Sequence, residues 1–329
     1  MDVKIVEKKA YLASQSFGLS LVDMTSGEVT SSAFPPFTGQ NIALAGSTAV
    51  VTEYTPEGLG RLSKINMGTL NVEKKIDLGI PGSSLRDVAV DSAASMAVVA
   101  STYGIKVVDL ISTKTPVTYP TTAYGVAVAN GYAYVAALSE GLQILQLNGT
   151  SQAPTLKGSL TFSTRPYRDV AVQGGLAYLA NQNGTLDIVD VSVLTAPRLI
   201  GTIGLGGFGY YVAVSGSYAA VISQNTVDYL EIIDISTPTQ PILKSRTVVL
   251  SNPGAIYTRG VALNSTGTTA AVAVETEGLK LYDLTNPASP LLLDIEPASG
   301  TVGSALGVTV AGDYICVADS PAIISNVAY

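Results

Sequence analysis

A short apolar phrase ending on a polar residue returns eight times along the chain, and that repetition limits the fold more than any other feature. It reads LSLVD ending at Asp23, IKVVD at Asp109, LDIVD at Asp190, LEIID at Asp234 and LKLYD at Asp283. Weaker copies are LSKIN ending at Asn66, LQILQ at Gln146 and AIISN at Asn326. The copies recur about every 43 residues, a period that marks an array of like supersecondary units. Two further runs precede each copy, for example DVAV then AYLA, beginning at Asp169. Runs of about four to six residues bounded by Gly, Asn or Ser are too short for helices and suit buried strands. A proline turn often follows, as in DISTPTQP and DLTNPASP, and then a looser fourth run such as ILKSRTVVL, which suits an outer edge strand.

Four antiparallel strands in about 43 residues is the size of one propeller blade. The expectation is an all-β fold, a β-propeller of four-stranded antiparallel blades forming a single domain over residues 1–329. Its repeats start near residues 2, 41, 87, 125, 169, 211, 260 and 307. Eight blades are expected, the last incomplete in sequence. Seven is the alternative, which would leave one apolar repeat out of the ring.

Composition excludes several function classes. A net charge of −7 argues against a nucleic-acid partner, because binding a phosphate backbone needs clustered Lys and Arg. The chain has no histidine, which removes every Ser-His-Asp and Cys-His arrangement and all imidazole metal sites. The single cysteine, Cys316, sits in the strand-like YICVA and is expected to be a small buried thiol. Gly, Ser, Thr or Asn interrupts each apolar stretch before the roughly 18 residues a membrane helix needs, so no membrane insertion is expected. The opening MDVKIVEKKAYLA enters a strand pattern at once, so it is not expected to act as an export signal. No DxDxDG-type loop is present, and neither a metal nor a cofactor is expected.

The phrases LDIVD and IKVVD, with GVAV, YAYVA and GLQI around them, resemble the LVIVD-repeat proteins over essentially the whole chain. The resemblance implies a β-propeller module of the kind found in bacterial and archaeal surface proteins. The motif is diagnostic of the blade and not of an activity. Asn66, Gln146 and Asn326 depart from it, which shows that another polar side chain can stand in for the aspartate.

Two sets of positions are candidates for special roles. The aspartates closing the phrases precede turns rich in Ser, Thr and Pro, so they are expected to accept backbone N–H bonds there. The second set lies just before the first strand of each repeat: Met1, Gln40, Arg86, Tyr124, Arg168, Tyr210, Arg259 and Leu306. Repeats 3 to 7 alternate Arg and Tyr at this position. If that strand is innermost, Arg86, Tyr124, Arg168, Tyr210 and Arg259 line one mouth of the channel as a ligand site. Guanidinium groups offer forked donors to an anion, and tyrosine offers a flat face with a polar tip. The competing structural reading ties these arginines to Glu57, Glu140 and Glu277 as ion pairs between blades. GLGGFGYY, residues 204–211, lacks the helix and Lys of a phosphate loop and reads as a flexible connection.

The resulting expectation is a non-enzymatic binding or scaffold module of a secreted or cell-surface protein, part of a larger multidomain chain. Its ligand would be a partner protein or an acidic glycan. The alternative is a propeller hydrolase or lactonase acting at the channel mouth, for which the sequence names no nucleophile or base.

Overall fold

The computed structural model describes residues 3–6, 9–14, 18–23, 29–33, 38–66, 71–91, 93, 95–251, 257–296, 304–311 and 314–320. Apart from one 3-10 turn at Gly82–Ser84, every helix or strand among them is a strand. The middle strands explain why the sequence shows unbroken apolar runs. Met96–Ser101 and Leu176–Asn181 are buried along almost their whole length, on both sides of the sheet. Outer strands meet water on one side, and Val72–Pro81 alternates between exposed or half-buried and buried positions from Lys75 onward.

Strand pairing gives six four-stranded sheets and one of six strands. Repeats 2 to 7 each form one four-stranded antiparallel sheet in sequence order, so the β-propeller blade is present as expected. The eighth repeat does not make an eighth sheet. Its strands Ser304–Ala311 and Tyr314–Ser320 join those of repeat 1, with Ala13 and Ser14 parallel to Ala318 and Asp319. Eight repeats therefore occupy seven sheets among the described residues, the alternative count. Two strands left alone would be a marginal hairpin with both edges open, and joining repeat 1 covers one of those edges.

The chain divides into two compact units. One comprises residues 84–254 with 287–289 and holds repeats 3 to 6; the other comprises residues 1–83, 255–286 and 290–329. Within the first unit, no sheet can bury its apolar faces alone, so neighbouring sheets share cores. Val98, Ile105 and Val107 of repeat 3 pack on Val126, Val135 and Leu145 of repeat 4. Tyr134 and Ile144 meet Val170, Leu179 and Val189, and Leu186 and Ile188 meet Val212 and Val221. In the second unit, Ala271, Ala273, Leu279 and Leu281 form a smaller cluster with Val308 against it. Cys316 falls in Tyr314–Ser320, and its side chain lies outside the described residues.

One irregularity recurs. In six repeats the first strand begins two or three residues ahead of the expected repeat start, because it continues through a β-bulge. The register breaks fall between Gly39 and Asn41, Leu85 and Asp87, Tyr167 and Asp169, Gly209 and Tyr211, Thr258 and Gly260, and Ala305 and Gly307. The extra residues are Gln40, Arg86, Arg168, Tyr210, Arg259 and Leu306.

Candidate functional site

These bulged residues are the positions that sequence alignment singled out. A bulge adds one residue to a strand, bends it and re-aims the extra side chain. In repeat 4 the same place is taken by Tyr124, whose N–H donates to Ala136 O at 2.9 Å although Gly125 already faces Ala136. Within the unit of repeats 3 to 6, the re-aimed side chains meet. The Arg86 guanidinium lies over the Tyr124 ring at 5.2 Å from its centre, and Arg168 lies over the same ring at 4.5 Å. Arg168 also lies over Tyr210 at 5.0 Å. The result is a ladder, Arg86–Tyr124–Arg168–Tyr210, with every member half-buried. Each rung joins two neighbouring sheets through the attraction of a cation for a ring face.

The backbone beneath the ladder is held by two carboxylates. Asp87 Oδ1 accepts the Val88 N–H at 2.8 Å, and its Oδ2 accepts Val126 N–H of the next repeat at 2.8 Å. Asp169 repeats the pattern with Val170 at 2.8 Å and Val212 at 2.9 Å. Between them stands Gly125, where a Cβ would lie 2.6 Å from Asp169 Cα, so this position admits no side chain. Desolvation raises the Asp169 carboxyl to about 6 and also raises Asp87, for which the Asp169 charge is the second cause.

The sign of the resulting pH dependence follows from linkage. A carboxyl with a raised folded pKa binds more protons folded than unfolded. Its contribution is thus fully present below about pH 4 and is lost as pH rises through about 6. The melting temperature is expected to carry a falling component between those values, which Asp169→Asn removes. If wild type and variant show parallel pH profiles, this carboxyl is not the source.

The phrase-ending aspartates stabilise turns, as expected from sequence. Asp190 accepts from Ser192 N at 3.0 Å and Ser192 Oγ at 2.6 Å, Asp234 treats Ser236 the same way, and Asp283 accepts Thr285 N at 2.8 Å. Asp109 caps Ile111 and Ser112 and also accepts Thr150 Oγ1 of the next repeat at 2.7 Å. These bonds hold Asp109, Asp190 and Asp234 below the usual carboxylate range. Their stabilising contribution is present above about pH 4 and fails only below it, outside the window set by Asp169. The Asp23 side chain lies outside the described residues.

The expected glutamate partners are a different matter. Glu140 accepts from Thr121 Oγ1 and Gln143 Nε2, Glu277 pairs with Lys280, and exposed Glu57 is bonded by Thr55. Arg259 instead pairs with Glu275 of its own sheet, with Tyr257 beneath its guanidinium at 5.2 Å. The bulge explains the change: it sends the guanidinium across to the end of its own second strand. Residues 204–211 are not a loose connection either, since Gly206 N–H donates to the buried Glu231 at 2.7 Å.

Sequence reasoning passed over the buried acids Asp187 and Glu231, although both interrupt an apolar phrase at its second position, LDIVD and LEIID. It also passed over Asp87 and Asp169. Their signal was the alternation of DVAV with GVAV and YVAV, which has the same two-repeat period as Arg and Tyr.

Comparison with known proteins agrees with the sheets. The LVIVD repeat matches residues 121–161, 165–203, 206–248 and 302–323. No curated protein matches the chain significantly. Among solved structures, the chain is similar to the β-propeller domain of Cps50 (Swd1) from Myceliophteria thermophila, with 12% identity and a TM-score of 0.66 over 86% of this chain and 97% of that one. It is also similar to the computationally designed Ika8 protein, with 11% identity and a TM-score of 0.66 over 96% of this chain and 92% of that one. At such identities the likeness is one of fold.

Proposed function

We propose that this LVIVD-repeat β-propeller is a non-enzymatic binding or scaffold module, one domain of a larger secreted or cell-surface protein, and that the Arg–Tyr ladder is its recognition surface. The observation that carries the reading is the ladder itself. Bulges in repeats 3, 5 and 6, with the residue at the same place in repeat 4, deliver two guanidinium groups and two tyrosines to one end of the first strands. Bulges conserve pairing poorly, and their recurrence here serves the direction of a side chain. Arg259 occupies the equivalent bulge in the other unit. No helix among the described residues is long and apolar enough to cross a membrane.

A thermal-shift screen of acidic sugars, sulfated glycans and acidic peptides tests this on wild type and an Arg86→Ala, Arg168→Ala variant. A ligand at about 100 times its Kd stabilises the native state by about 2.7 kcal/mol. A ligand that raises the melting temperature of the wild type alone supports a recognition surface. A variant that merely melts lower, with no ligand acting on either protein, assigns the ladder to sheet-to-sheet cohesion and leaves a scaffold.

A further inference from the structure

Arg168 and Arg259 occupy the same bulge, each in its own sheet, but only one of them is held by an acid. Arg259 Nε donates to Glu275 Oε1 at 2.6 Å, and its Nη2 meets the same oxygen. At the matching place Arg168 meets Gln182. With its amide oxygen turned to the guanidinium, Gln182 accepts from Arg168 Nε at 2.9 Å and from Nη2 at 2.8 Å. The opposite orientation would set amide donors against guanidinium donors. Glu275 and Gln182 make the same clamp, and only the first cancels the charge it holds.

Arg168 therefore keeps its charge and one edge. Among the described residues, no carboxylate forms an ion pair with it. The carboxylate next in sequence, Asp169, gives its two oxygens to the backbone N–H groups of Val170 and Val212. Gln182 takes the edge formed by Nε and Nη2, which leaves the edge between Nη1 and Nη2. No buried side-chain donor lacking a partner among the described residues belongs to Arg168, so that edge lies at the surface of this half-buried residue. Arg86 has a partner of its own, since its Nη1 donates to Leu85 O at 2.8 Å, and the site needs Arg168 alone.

Two tyrosines shape the approach to that edge. Tyr124 belongs to repeat 4 and Tyr210 to repeat 6, so their rings flank the Arg168 guanidinium from the two neighbouring sheets. The ring centres lie 4.5 and 5.0 Å from its central carbon, hence no more than about 9.5 Å from each other. An atom between two rings needs about 3.5–4.0 Å to each, so the gap is one acyclic stem wide. A sugar ring with its substituents is thicker than that. The head group is narrowed in the same way. A carboxylate meets a guanidinium edge with two parallel bonds in one plane. A sulfate or phosphate carries further oxygens out of that plane, toward ring faces that are themselves negative. Resting on the recognition role proposed above, we infer that Arg168 anchors one acidic side chain of a partner protein, whose carboxylate takes the open edge between Tyr124 and Tyr210. Gln182 sets this specificity by orienting Arg168 without neutralising it.

The test follows the arginine Nε–H resonances of isotope-labelled protein at neutral pH and constant ionic strength. Probes are N-acetylglutamate α-amide, its glutamine counterpart, galacturonate and methyl sulfate. Proteins are wild type, Gln182→Glu and Arg168→Ala, the last identifying the Arg168 signal by its loss. The glutamate probe is expected to move that signal saturably in wild type and to bind Gln182→Glu at least tenfold more weakly. Gln182→Glu should melt no lower than wild type because it recreates the Arg259–Glu275 pair, which separates lost affinity from lost fold. Equal affinity of the two proteins for the glutamate probe, or equal binding of the glutamate and glutamine probes, would overturn the inference. Tighter binding of galacturonate or methyl sulfate than of the glutamate probe also overturns it, while keeping the ladder as a recognition surface. If no probe moves the Arg168 signal, the inference falls, and the ladder's recognition role is then decided by the thermal-shift screen alone.

Discussion

Replacing Gly201 by alanine is expected to destabilise the protein by about 2–3 kcal/mol, the upper part of the range for overpacking a closed interior. Gly201 lies in the outer strand Arg198–Gly204 of repeat 5, at the register break between the pairs Ile188–Gly201 and Val189–Leu199. Its backbone is not in the left-handed region, so alanine meets no conformational penalty of its own. The cost comes from outside the strand. A Cβ at 201 would lie 2.0 Å from the carbonyl oxygen of Pro238, in the proline turn of the next repeat. That turn is poorly able to retreat. Gln240 N–H donates to Thr237 O at 2.8 Å, and Asp234 holds Ser236 by both N–H and hydroxyl. Repeat 4 has the same arrangement, with Gly158 against Leu194 O at 2.0 Å. Gly204→Ala is the control, because the added methyl would meet nothing within 4 Å and should change stability by less than about 0.5 kcal/mol. Denaturant midpoints of the two variants decide the matter. If they coincide, the neighbouring turn moves freely and sheet-to-sheet fit does not depend on this glycine.

The phrases that made the repeat visible are legible for a physical reason. In repeats 3 to 7 the second and third strands are largely buried on both sides, so their residues are mostly apolar and the run stands out from the turns around it. The Asx turns were legible too, since Asp followed by Ser or Thr bonds locally and needs no tertiary partner. Arg86, Arg168 and Tyr210 could be aligned because the bulge falls at one place in the repeat, and Tyr124 holds that place in repeat 4. Their partners could not. Whether Arg259 reaches Glu275 or Glu277 depends on which end of the turn between Val274 and Gly278 faces the bulge, and the two acids are only two residues apart in sequence. The sheet count was hidden for a similar reason. The union of Tyr314–Ser320 with Lys9–Ser14 is a pairing across nearly the whole chain, and no local pattern encodes it.

Asp187→Ala is expected to cost about 3–5 kcal/mol, the range for removing one partner of a buried charge pair. The carboxylate is fully buried and serves four donors. Arg165 Nη1 donates at 2.6 Å, Tyr167 O–H at 2.8 Å, Thr202 Oγ1 at 2.9 Å and Thr185 Oγ1 at 3.3 Å. These donors differ in what they lose. Arg165 is partly exposed and can turn to water, whereas Tyr167 is completely buried and has nowhere to send its hydroxyl. Burial, with the Asp187 charge second, also pushes the Tyr167 phenol up, so it remains a protonated donor throughout the accessible pH range. Much of the loss should therefore be the orphaned hydroxyl, which costs about 1–3 kcal/mol when left unpaired. A double-mutant cycle isolates that share. Adding Tyr167→Phe to Asp187→Ala removes the hydroxyl that has lost its acceptor, and should restore about 1–2 kcal/mol relative to Asp187→Ala alone. Tyr167→Phe in the wild type should instead destabilise, since there the hydroxyl still has its acceptor. If the two losses simply add, the hydroxyl is not the origin of the cost. The burden then falls on the Arg165 pair, and Asp187→Asn, which retains one acceptor oxygen, should prove nearly as damaging as Asp187→Ala.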